Sequence, residues 1–62
     1  MIDNIILQLQ HEYLVLRFYP TYYDKSWHVS IRDGAIEYRL YDYKLRLECV
    51  KECRRLNRKY NV

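Results

Sequence analysis

The chain has 62 residues, 50% of them apolar, and a formal net charge of +3. A length of this order allows one domain, residues 1–62, whose single core buries only about 60% of the unfolded surface. Eight tyrosines beside single Gly, Pro, Phe and Trp residues exclude a disordered or low-complexity chain, and no run approaches the roughly 20 apolar residues of a membrane helix.

Ile2, Ile5, Ile6 and Leu9 recur at helical spacing, which predicts a short N-terminal helix with Asp3 as its N-cap. Leu7-Gln8-Leu9-Gln10 alternates and would also suit a strand; the helix is preferred. The opening residues, MIDNIILQLQHE, show neither the basic region nor the small-residue cleavage site of a signal peptide. A cytoplasmic location is therefore expected.

From Glu12 to Tyr19 the period changes to two. Leu14, Leu16 and Phe18 fall on one side, with Tyr13, Val15, Arg17 and Tyr19 on the other, as in a half-buried strand. Pro20 is expected to end this strand because it has no N–H to donate. Residues 21–26 then read as a loop with Tyr22 and Tyr23 at its tip.

Trp27–Arg32 and Ala35–Tyr41 both alternate, and Asp33-Gly34 separates them. Asp-Gly in that setting predicts a hairpin with a two-residue type I′ turn. Ile31 would then face Ile36, Val29 would face Tyr38 and Trp27 would face Leu40 on the inner side. Ser30–Glu37 and His28–Arg39 would pair on the outer side.

Asp42 reads as the N-cap of a closing helix over 43–60. Leu45, Cys49, Cys53, Leu56 and Tyr60 form its apolar stripe. The expected fold class is α+β: a three-stranded antiparallel β-meander covered on one face by a C-terminal helix, with a short N-terminal helix, in the order α-β-β-β-α. Two cysteines four apart on a helix are poorly placed to bridge each other, and they read as reduced, buried thiols.

Charge is polarised along the chain. Residues 1–42 carry four basic and six acidic side chains, whereas residues 43–62 carry seven basic and two acidic ones, net −2 against +5.

Catalytic chemistry finds little to work with. Thr21, Ser26 and Ser30 are the hydroxyls besides tyrosine, and Ser30 and His28 stand two residues apart on one strand, about 7 Å, beyond hydrogen-bond reach. A zinc site from Cys49, Cys53, His11 and His28 is disfavoured because the cysteines lie on a helical core stripe and His28 on the opposite side of the sheet. The one Gly belongs to a turn, so no phosphate-binding loop is present. The reading is a non-enzyme without metal or cofactor.

Two surfaces could bind. One is the outer face of the closing helix, where Lys44, Lys51, Arg54, Arg55, Arg58 and Lys59 cluster with Glu48 as the sole interruption. The other is the uncovered side of the sheet with its loop: Tyr13, Arg17, Tyr19, Tyr22, Tyr23, His28, Arg32, Arg39 and Tyr41, residue types common in protein hot spots and in single-strand nucleic-acid binders.

The order α-β-β-β-α resembles the double-stranded-RNA-binding domain, which implies nucleic-acid binding. The segment entering the last helix, Leu40-Tyr41-Asp42-Tyr43-Lys44-Leu45, has none of that family's glycines and a single lysine, so no binding residue is carried over. In size and style the chain is similar to small inhibitors made by phages and mobile elements, anti-CRISPR proteins among them. The expectation is a protein that binds and blocks a host protein, such as a nucleic-acid-handling enzyme or complex. A basic nucleic-acid-binding domain is the alternative, and homodimerisation is a further way to cover the sheet. No membrane partner is expected.

Overall fold

The computed structural model describes residues 2–13 and 15–61, without the side chains of Ile2 and Asp3. The inward positions expected for Ile2 and Leu14 lie outside that description. The element order is α1 (Ile2–Glu12), β1 (Tyr19–Tyr23), β2 (Ser26–Asp33), β3 (Ile36–Tyr43) and α2 (Arg46–Tyr60). The strands form one antiparallel sheet in the order β1-β2-β3, so the α+β order α-β-β-β-α stands.

α1 places Ile6 and Leu9 in the core with Ile5 packed against it. Adjacent Ile5 and Ile6 can approach the same core on a helix, whereas a strand would send them to opposite faces. The helix already includes Ile2, so Asp3 lies in its first turn and is not the N-cap.

The first strand lies later than the period-two pattern suggests. Residues 15–18 are not in the sheet; the backbone of Leu16 and Phe18 is bound by one side chain of α2 and by that of its C-cap residue, Asn61. Leu16 N–H donates to Asn61 Oδ1 at 2.7 Å and Phe18 N–H to Asn57 Oδ1 at 2.7 Å. Each asparagine returns its Nδ2–H to the carbonyl of the same residue. Pro20, expected to end a strand, sits inside β1, and Thr21, Tyr22 and Tyr23 belong to that strand and not to a loop. β1 is an edge strand, where a residue without an N–H is tolerated.

The turns differ from expectation in an instructive way. Asp24 and Lys25 both have positive φ, 50° and 65°, the requirement of a type I′ turn, and they join β1 to β2. At the second hairpin Gly34 has φ 61° and Ala35 does not share it, with Asp33 paired to Ile36. Gly34 thus takes the first central position, as in a type II′ turn, and Asp33 moves into the strand. Ile31 faces Tyr38 and Arg32 faces Glu37, in place of the partners expected from an Asp33-Gly34 turn.

A shift of two residues leaves each side chain on its side of the sheet. The bulge does not. Ser30 pairs with Arg39 but Val29 with Tyr41, making Leu40 the extra residue. Beyond it, Tyr41 and Tyr43 come to the inner side opposite Val29 and Trp27, and Asp42 faces His28. Asp42 is therefore a ladder residue and does not cap α2.

α2 consequently begins at Arg46, with Leu45 at its N-cap and no side-chain cap. Leu45, expected in the core stripe, is 61% exposed. The rest of the stripe holds: Cys49, Cys53 and Leu56 are buried, and Tyr60 packs on Phe18 with ring centroids 5.7 Å apart. These residues join Ile6, Leu9, Leu16, Phe18, Val29, Ile31 and Leu40 in one cluster. Each fully buried large apolar side chain contributes about 1.5–3 kcal/mol. The thiols are free, and burial pushes Cys53 up to about 12.

Candidate functional site

α2 sends its core stripe inward, so the positions opposite point to solvent. Leu47, Lys51, Arg54 and Arg58 follow one another at i+4, i+7 and i+11, a single helical stripe. All four are exposed, Leu47 by 64%. Among the described residues Lys51, Arg54 and Arg58 meet no carboxylate at salt-bridge distance.

The acids of α2 lie to one side. Glu52 holds Arg55 through two contacts, Nε to Oε1 at 2.5 Å and Nη2 to Oε2 at 2.9 Å. The guanidinium keeps Glu52 below the ordinary carboxylate range, while the carboxylate raises Arg55. Tyr43, Glu48, Lys51, Glu52 and Arg55 line a shallow, open hollow of about 550 Å³. Lys59 leans over the Tyr60 ring at 5.3 Å, and exposed Lys44 lies in the bend before the helix. Six expected cations therefore divide into three on the outward stripe with no carboxylate partner among the described residues, two engaged at the flank and one ahead of the helix.

The sheet residues form a different kind of surface. Tyr19 donates its hydroxyl to Glu37 at 2.7 Å. Glu37 also lies 3.7 Å from Arg32 and 3.9 Å from Arg39. Desolvation, then the Glu37 hydrogen bond, raises the Tyr19 phenol. Arg39 lays its guanidinium over the Tyr23 ring, 3.8 Å from the centroid, and His28 Nε2–H donates to the Tyr23 carbonyl at 3.0 Å. Tyr19, Arg32 and Arg39 thus gather around Glu37, while Tyr23, under Arg39, keeps 54% of its surface exposed.

Several sheet-surface expectations are overturned. Tyr13, Val15 and Arg17 precede β1 and are not ladder residues of the sheet. Tyr13 instead donates to Asp33 Oδ1 at 2.7 Å. Tyr22 faces inward against Trp27, centroids 5.2 Å apart, and the bulge turns Tyr41 onto the core. Ser30, expected to face solvent, is fully buried between its ladder partners Tyr19 and Arg39, and its Oγ has no hydrogen-bond partner among the described residues.

Leu47 and Arg46 escaped the sequence reading. Arg46 lies over Trp27 at 5.7 Å. A signal for Leu47 existed: it falls outside the inward stripe, on the side of Arg54 and Arg58, where an apolar residue is out of place. Among the described residues no three His, Cys, Asp or Glu side chains converge as metal ligands. Among the described residues no helix is long and apolar enough to cross a membrane.

Comparison with protein-family models, with curated proteins and with solved structures finds no match.

Proposed function

We propose that the chain is a non-catalytic binding protein that docks the outward stripe of α2 on an acidic, partly apolar surface of another protein and acts by occluding it. The observation that carries this reading is Leu47, largely exposed at the head of three cations that meet no carboxylate among the described residues. Desolvating an exposed leucine rewards contact with an apolar protein surface, whereas phosphate backbones reward charge alone. The sheet offers less to stacked bases, because Glu37 engages Tyr19, Arg32 and Arg39, and Arg39 covers one face of the Tyr23 ring.

A protein of this size that blocks a surface fits the style of a phage or mobile-element inhibitor, with a nucleic-acid-handling host enzyme as target. A basic stripe would suit the acidic or regulatory surface of such an enzyme, not mimicry of its nucleic acid.

Three variants test the reading. Arg54→Glu/Arg58→Glu should abolish stoichiometric capture of the partner from host extract, and Leu47→Asp should weaken it at least tenfold. Arg32→Glu, on the sheet side, should leave capture intact. Retention of nucleic acid by Leu47→Asp, lost as salt rises, with no protein captured by the unsubstituted chain, would replace this reading with nucleic-acid binding.

A further inference from the structure

β3 is an edge strand, and among the described residues nothing pairs with its outer side. Both hairpins close on two-residue turns, flanked by Tyr23–Ser26 and by Asp33–Ile36. Residues flanking such turns exchange both backbone hydrogen bonds, and alternation sets the direction of every group that follows. Residues 26, 28 and 30 of β2 then bond toward β1, and 27, 29, 31 and 33 toward β3. The two hairpins give the same alternation independently. On β3, Ile36 and Tyr38 bond toward β2, while the N–H and C=O of Glu37 and Arg39 point outward. The bulge at Leu40 ends this regular stretch.

We propose that this edge pairs with the same edge of a second copy of the chain, antiparallel about a two-fold axis at Tyr38, so that Glu37 of each copy faces Arg39 of the other. An antiparallel edge joins outward-bonding residues only to outward-bonding residues. Symmetric registers using these two positions put Glu37 on Glu37, Arg39 on Arg39, or Glu37 on Arg39. The first two oppose like charges across strands; the third makes two opposite-charge pairs and four backbone hydrogen bonds. Charged residues usually discourage edge pairing, but under this two-fold axis they are complementary.

Side chains on the inner side agree with that register. Tyr38 meets its symmetry mate, and Ile36, 55% exposed in one copy, comes beside Leu40 of the second copy. α2 lies over β1 and β2 more than over β3, which leaves the edge clear. The axis stands normal to the sheet, so both α2 helices lie on one side of a six-stranded sheet. The two Leu47–Arg58 stripes then face the same way. The pairing uses residues separate from those stripes and stands whether or not they bind a partner.

Sedimentation equilibrium from about 10 µM to 1 mM should show the mass rising toward twice the monomer, since an interface this short forms a weak dimer. Glu37→Arg and Arg39→Glu should each weaken the dimer about tenfold, and the double swap E37R/R39E should restore it. Arg39→Pro removes an outward N–H without touching a bond to β2 and should abolish the dimer; circular dichroism reports whether each variant keeps its fold. If Arg39→Pro does not fold, the charge swap decides alone. A monomer throughout the range overturns the proposal, as would happen if the edge served only a strand from a different protein. So does a dimer indifferent to Arg39→Pro, or one weakened by both single reversals and not recovered in the double.

Discussion

Phe18 and Asn57 exchange two hydrogen bonds across 39 positions of chain, N–H to Oδ1 at 2.7 Å and Nδ2–H to C=O at 3.0 Å. Asn61 repeats the exchange with Leu16. Four residues of helix rise about 6 Å and two residues of extended chain about 6.7 Å. Side-chain amides at i and i+4 can therefore read alternate residues of a strand-like segment. α2 acts here as the missing strand neighbour.

Asn57→Ala should strand the amide and carbonyl of Phe18 and lower unfolding free energy by about 2–3 kcal/mol, read from the urea midpoint. Asn57→Asp keeps the acceptor for the Phe18 N–H but turns a carboxylate oxygen toward the Phe18 carbonyl, so its loss should persist at neutral pH and shrink in acid, where the protonated carboxyl can donate. Asn61→Ala, at the exposed helix end, should cost about 1 kcal/mol or less. Equal stability of Asn57→Ala and the parent chain would remove this account of residues 15–18.

The two hairpin turns should respond oppositely to glycine and alanine. Lys25 holds φ 65° with a Cβ, so Lys25→Gly should raise the melting temperature, relieving about 1 kcal/mol of strain. Gly34→Ala should lower stability by about 1 kcal/mol. A Cβ at Gly34 would meet no atom within 4 Å, so that loss is backbone strain alone.

Leu45 stands where a helix-capping side chain belongs and offers none. Leu45→Ser or Leu45→Asp should stabilise the chain by about 1 kcal/mol in thermal melts, with Asp also favoured by the helix dipole. A melting temperature unchanged by both would show that the first turn of α2 is satisfied in another way.

Stability should fall at alkaline pH. Burial raises Cys53 from 9.0 to about 12 and raises Cys49 as well. Desolvation raises the Tyr43 and Tyr19 phenols. The unfolded chain loses these protons first, so the stabilisation is complete below about pH 9 and disappears as pH climbs toward about 12. Glu52 works in the other direction, contributing above its ordinary range and losing that contribution in acid. Denaturation midpoints from pH 7 to 11 should decline, and Cys53→Ala should flatten the slope. A flat profile in the parent chain would contradict the buried thiols.

Much of the fold was legible because apolar periodicity reports which side of an element is buried. Ile5, Ile6 and Leu9 marked the first helix, and Cys49, Cys53, Leu56 and Tyr60 marked the inward face of the last. Asp33-Gly34 marked a turn, though Gly34 suits either primed type and the choice moved the partners by two residues. In the candidate site, the six cations were legible by type and helical angle. Their division into paired and unpaired groups was not, since it depends on the position of Glu52 beside Arg55.

What the residues determined by themselves is the number, kind and order of elements, the concentration of positive charge at the C-terminal end and the burial of both cysteines. These follow from local propensity and period. Only tertiary structure decided that residues 15–18 bond to Asn57 and Asn61 in place of a strand, and that Leu40 bulges and turns Tyr41 inward. It also decided that Arg39 covers Tyr23 while Lys51, Arg54 and Arg58 meet no carboxylate among the described residues. The reason is physical: alternation shows that a backbone is extended, but the partners of its polar groups are chosen by whatever the folded chain brings within hydrogen-bond distance.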